Sequence, residues 1–88
     1  MYLLWEERVK VVSAYIMIKT RLGMQSDAYT KILKIKGVKF ANTVTGPYDL
    51  IVFIESSDLN TLGKAVISKI QNLKCIKDTM TSIVIEPI

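Results

Sequence analysis

Leu50-Ile51-Val52-Phe53-Ile54-Glu55 is apolar at every position but the last, so a strand here has two hydrophobic faces, Leu50, Val52 and Ile54 on one and Ile51 and Phe53 on the other. Such a strand belongs in the middle of a sheet. Just before it, Gly46-Pro47-Tyr48-Asp49 is a connection of hairpin length with turn chemistry, and Val38–Thr45 reads as the preceding strand, with Val38, Phe40, Asn42 and Val44 alternating with Lys39, Ala41, Thr43 and Thr45. The two strands are expected to pair as a hairpin.

Beyond it, Ser57-Asp58 offers an N-cap for a helix over Leu59–Leu73, whose Leu59, Leu62, Val66, Ile70 and Leu73 recur at spacings of three or four. Gly63 weakens that helix slightly or permits close packing. Ile76–Glu86 closes the chain as a strand, with Thr79, Thr81, Ile83 and Ile85 on one face and Met80, Ser82 and Val84 on the other; Pro87 ends it. On the N-terminal side, Ala28, Ile32 and Ile35 place a helix over Gln25–Lys36, capped by Ser26 or Asp27 and stopped at Gly37. Val12–Thr20 is a strand with Ala14, Ile16 and Ile18 on one face and Tyr15 and Met17 on the other.

The order strand, helix, strand, strand, helix, strand is the α+β ferredoxin-like β-α-β-β-α-β sandwich, a four-stranded antiparallel sheet with two helices on one face. Its topology makes the first and third strands central, and these are the two with apolar residues on both faces; the second and fourth, richer in Thr, Asn, Lys and Ser, are the edges. Two helices cover one sheet face only. Tyr15, Met17, Ile51 and Phe53, or the opposite set, then lie bare, and a homodimer by stacking of two sheets is expected. Burying roughly 600–800 Å² per subunit in this way is worth on the order of 15–20 kcal/mol before association costs.

The chain's 88 residues, half of them hydrophobic and 23% charged, leave room for one small domain. The 12 Lys and Arg against 8 Asp and Glu are spread out; Lys31, Lys34, Lys36 and Lys39 form the densest group and read as a solvated face rather than a nucleic-acid patch. The single Cys75 excludes an internal disulfide and fits a reducing compartment. No apolar run approaches the ~20 residues of a membrane span, and Tyr2-Leu3-Leu4-Trp5, met at once by Glu6-Glu7, is too short for a signal-peptide core, so a cytoplasmic location is expected.

Enzyme chemistry finds little material. Histidine is absent, Cys75 has no His to form a thiolate pair, and Glu6 and Glu7 are adjacent and diverge. No phosphate-binding glycine motif occurs, and the third strand lacks the Lys/Arg-Gly-aromatic pattern of RNA-binding sheets. No catalytic residue, metal or cofactor is expected. What remains is a binding site of backbone and small polar groups: Gly46 admits close approach of a ligand, Pro47 stiffens the loop, and Tyr48 and Asp49 carry polar tips, although the same residues suit a plain tight turn. Thr79 and Thr81 likewise read either as ligand hydroxyls or as ordinary β-formers.

Val44-Thr45-Gly46-Pro47-Tyr48-Asp49-Leu50-Ile51-Val52 resembles the Gly-x-Tyr-Asp-aliphatic run of the RAM domain, the effector domain of Lrp/AsnC transcription regulators. Thr79-Met80-Thr81-Ser82-Ile83-Val84-Ile85 is similar to that domain's terminal Thr-x-Thr-aliphatic strand, and the resemblance covers roughly residues 13–86. It implies dimers joined through their sheets and assembled into rings of eight or ten. An amino acid or related small molecule would bind between dimers, near Gly46, Tyr48, Asp49, Thr79 and Thr81. By this likeness, backbone groups at Gly46 and Tyr48 meet the ligand's carboxylate or ammonium, Asp49 fixes the loop or meets the ammonium, and the two threonines supply hydroxyls.

The family's regulators carry a helix-turn-helix before this domain, whereas only residues 1–11 precede it here. The expectation is a stand-alone RAM protein that does not bind DNA itself and modulates a full-length Lrp-type regulator by mixed assembly, or buffers the ligand. Residues 1–11 form an extension expected to dock on a neighbouring subunit through Tyr2, Leu3, Leu4 and Trp5, ahead of a ligand-binding domain over residues 12–88. Two other classes share the topology. A small dimeric α+β-barrel enzyme would want an ionisable group between helices and sheet, and an ACT-like regulatory module would usually be attached to an enzyme.

Overall fold

A computed structural model of the chain describes residues 11–85; the expected docking of the leading segment lies outside them, and the last strand ends at Ile83, three residues short of the expected Glu86. Four strands form one antiparallel sheet in the order β2-β3-β1-β4, with β1 at Val12–Thr20, β2 at Val38–Thr43, β3 at Leu50–Ser56 and β4 at Ile76–Ile83. The two strands that are apolar on both faces are the central ones, and the sheet is the ferredoxin-like one expected. Helix α1 spans Gln25–Leu33, and helix α2 runs continuously over residues 59–71.

Both helices lie on one face. Ala14, Ile16 and Ile18 of β1 and Leu50, Val52 and Ile54 of β3 are completely buried beneath Ala28 and Ile32 of α1 and Leu62, Val66 and Ile70 of α2. Cys75 fills the same core as a small apolar group. On the other face, Tyr15, Phe40 and Met80 are 44%, 43% and 51% exposed.

Several local expectations need correction. Neither Ser26 nor Asp27 caps α1: the N-cap is Met24, with no side-chain bond, and Asp27 sits in the first turn, where it pairs with Lys31 at 3.1 Å. The helix stops at Leu33 rather than Lys36, because the Lys34 and Ile35 N–H groups donate to the carbonyls three residues back, Lys31 and Ile32, tightening the last turn toward Gly37. Strand β2 ends at Thr43, two residues early, and its alternation is broken. Val38 lies opposite Ile54 and Phe40 opposite Phe53, so Lys39 is an extra residue in a bulge. That bulge lets Val38 pack against the core while Phe40 keeps to the uncovered face.

The centre of α2, Leu62–Ile67, is a π-helix. Leu62, Val66 and Ile70 are spaced by four, and in a regular α-helix each such step drifts about 40° around the axis. Wider turns reduce the rotation per residue and keep all three on the sheet. Leu59 is 60% exposed and does not join their stripe. Nothing lies within 4 Å of a Cβ built on Gly63, so close packing is not the reason for that glycine.

Asp58 caps α2 as expected. The Thr61 N–H donates to its Oδ1 at 2.7 Å, while the hydroxyls of Thr61 and Ser57 donate to Oδ2 at 3.1 and 3.2 Å. The backbone bond from Thr61 foremost, and the hydroxyls after it, hold the Asp58 carboxyl below its ordinary value. A carboxylate lowered on folding contributes stability above its unfolded pKa, about 4, and loses it as pH falls through the lower folded value. Asp58→Ala is therefore expected to lower the thermal midpoint at pH 7, with the gap to the parent closing in melts recorded below pH 4.

Candidate functional site

The connection between β2 and β3 is closed by the Val44 N–H donating to the Asp49 carbonyl at 2.9 Å. Asp49 then ties the loop to the end of β1. Its own N–H donates to the Ile18 carbonyl at 2.8 Å, and its Oδ2 accepts from the Thr20 N–H at 2.8 Å and from the Thr20 hydroxyl at 3.0 Å. Thr20 is buried, so this carboxylate satisfies a backbone donor that would otherwise lose its partner away from water. The loop beyond it is presented to solvent. Gly46 has a φ of +129°, a conformation open to glycine, and a Cβ there would meet nothing within 4 Å, so backbone shape rather than crowding demands the residue.

Tyr48 leaves the same loop toward the uncovered face, where its hydroxyl lies 3.9 Å from the Met80 sulfur. Thr79 and Thr81 pair with Ile18 and Ile16 of β1 and therefore share the helix-covered side of the edge strand β4. The Thr79 hydroxyl accepts from Gln71 Nε2 of α2 at 3.2 Å. Leu50, Ile18 and Thr79 stand in one row across the sheet, so Gly46, Tyr48 and Asp49 come to the same end of the domain as Thr79. The Tyr48 hydroxyl and the two threonines nonetheless point to opposite faces. One chain brings the loop residues together but does not turn all five side chains to a common point.

Two further residues position this end, and sequence reasoning passed over both. Thr20 anchors Asp49, and Arg21 donates from its N–H to the Cys75 carbonyl at 2.9 Å and from Nε to the Lys74 carbonyl at 2.9 Å, holding the turn into β4. Their partners lie 29 and 53 residues away, and no local pattern signals such a contact.

Over residues 13–88 the sequence matches the profile described as the Lrp/AsnC ligand binding domain. The chain belongs to this family. Among proteins similar to this Lrp/AsnC domain are homocitrate synthase of Sulfurisphaera tokodaii, 33% identical over 76 residues, and the HTH-type transcriptional regulator LysM of the same organism, 29% identical over 75. The matches take in 85% and 84% of this chain but only 16% and 53% of those proteins, so the chain spans about one sixth and one half of the length of these relatives. Among solved structures, hypothetical protein PHS023 from Pyrococcus horikoshii is 36% identical with a TM-score of 0.79, over 86% of this chain and 92% of that one. Transcriptional regulator NMB0573 from Neisseria meningitidis, determined as an L-Met complex, shares the fold at 20% identity with a TM-score of 0.78, over 93% of this chain and 55% of that one. Among the described residues, no helix of the Lrp/AsnC domain is long and apolar enough to cross a membrane.

Proposed function

We propose that the chain is a non-enzymatic, cytoplasmic amino-acid-binding subunit. In this reading two copies pair through their uncovered sheet faces, and dimers assemble further into a ring of eight or ten. The ligand sits between dimers, against the Gly46–Asp49 loop and the Thr79–Thr81 strand. The observation that carries the reading is the uncovered face itself: a row of Phe40, Phe53 and Tyr15, with ring centroids 5.3 and 4.8 Å apart, beside a row of Ile51, Met17 and Met80. So much contiguous apolar surface is the mark of an association face. The opposed directions of Tyr48 and the threonines support a pocket completed by a second subunit. The chain itself carries no DNA-binding role in this reading, and it acts by mixed assembly with an Lrp/AsnC regulator bearing the same domain.

A second reading is favoured by the homocitrate synthase match, in which a segment like this one makes up about a sixth of an enzyme. There the chain is a regulatory module for a catalytic partner, as an ACT-like domain would be. Both readings require a small ligand. Titration calorimetry of the intact oligomer against the twenty amino acids is expected to give saturable heat with a subset of them, and Asp49→Ala, which frees the loop, is expected to weaken it about tenfold or more. Silence across the whole panel from an intact oligomer would leave only a structural role. Pull-down with the ligand present then separates the two readings, by capture of a regulator or of an enzyme.

A further inference from the structure

At the end of the sheet opposite the Gly46–Asp49 loop, where β1 begins and β3 ends, a cleft of about 660 Å³ opens between the α1–β2 turn and α2. Its size is that of a small-molecule site. Among the described residues its lining holds three lysines, Lys36 from the turn, Lys39 from β2 and Lys69 from α2, against one acidic residue, Glu55, and Ser56 adds a hydroxyl-bearing side chain. Lys39 and Glu55 approach only to 3.7 Å, with Lys39 exposed and Glu55 half-buried, so their pairing is weak, and the described lining carries two more lysines than carboxylates. Asp58, at the start of α2, is occupied by Thr61 and Ser57.

Three departures from regular backbone meet at this cleft. The β2 bulge places Lys39 at its rim without moving Val38 from the core. Gly37, at a φ of +102°, brings the turn against Val66, and the π segment of α2 supplies Ala65 and Val66 to the wall. Bulges and π turns are concentrated at functional sites, where they redirect side chains. Lysines converging from three separate elements make a site of point charges suited to a multiply charged anion.

We propose that this cleft is a second ligand site, for a metabolite-sized anion carrying two or three negative charges, a di- or tricarboxylate or a phosphate ester. Its placement away from the effector loop makes it independent of the amino-acid reading above. The test uses the full chain, citrate and pyrophosphate as separate probes, calorimetry for affinity at 0.15 M salt and hydrogen-exchange mass spectrometry for location. Saturable binding of at least one probe is expected, with slowed exchange confined to residues 36–39 and 55–69, and the tighter probe assigns the carboxylate or phosphate class. The Lys36→Ala/Lys69→Ala double variant, changed only at exposed positions, is expected to weaken binding by about tenfold or more at an unchanged melting midpoint, since each lysine supplies a charge-assisted contact. Lys77→Ala, on β4, is expected to leave the affinity unchanged. Absence of saturable binding by both probes, equal losses in the Lys77 variant, or protection spread over all lysine-bearing surfaces would overturn the proposal.

Discussion

Replacing Phe53 by glutamate is expected to break the proposed face-to-face dimer into monomers. Phe53 lies at the centre of the uncovered face, in contact with the rings of Tyr15 and Phe40 on the strands to either side. In the proposed dimer a second sheet stacked there removes it from water, and a carboxylate in its place is set among the rings of Tyr15 and Phe40. An uncompensated buried charge costs about 3–5 kcal/mol, and a two-fold interface contains the substitution twice, so the dimer loses roughly 6–10 kcal/mol. That corresponds to about four to seven orders of magnitude in dissociation constant. Because the helix-covered core lies on the other face of the sheet, the monomer should remain folded. Sedimentation velocity at ten-micromolar concentration reads the outcome directly, with circular dichroism as the check on folding. An unchanged oligomer in the glutamate variant, or a folded monomer for the parent, removes the face-to-face dimer and the ligand pocket that depends on it.

The second large effect is at Gly37. A Cβ on this residue would sit 2.7 Å from Val66 Cγ2 and 3.1 Å from the Glu55 carbonyl oxygen, which a β-branched side chain packed in the core and a strand backbone cannot readily vacate. The φ of +102° is itself a conformation that other residues rarely adopt. Conformational strain of about 1–2 kcal/mol and overpacking of about 1–3 kcal/mol act together, against a net stability of about 5–15 kcal/mol for a whole domain. Gly37→Ala is therefore expected to remove about 2–5 kcal/mol, read as a lowered urea midpoint at unchanged slope. Gly63→Ala makes the contrast, since its Cβ would enter open space within a helix and the exchange should stabilise by up to about 1 kcal/mol. Equal midpoints for Gly37→Ala and the parent would show that the α1–β2 turn is not the tight point described.

Both experiments separate what neighbouring residues specify from what distant ones impose. Strand β1 runs over the residues its alternation marked, Val12–Thr20, because side chains two apart share a face and Ala14, Ile16 and Ile18 leave only one face for the helices. The Asp58 cap was legible for the same reason: the donor it serves is three residues ahead. Helix α1 was legible in its apolar face but not at its ends. Met24 forms the N-cap without a side-chain bond, and the last turn tightens three residues before Lys36.

Element order, the central and edge strands, and the surplus apolar face were all contained in the sequence, since each follows from periodicities of two and four carried by near neighbours. The chain written out could not say that Asp49 serves Thr20, that Lys39 bulges out so that Val38 and Phe40 part to opposite sides, that α2 widens into a π turn, or that three lysines converge on one cleft. Those outcomes were decided only when β2, β3 and the two helices closed on each other, because each contact joins residues far apart in the chain, where local preference is weak and packing sets the geometry.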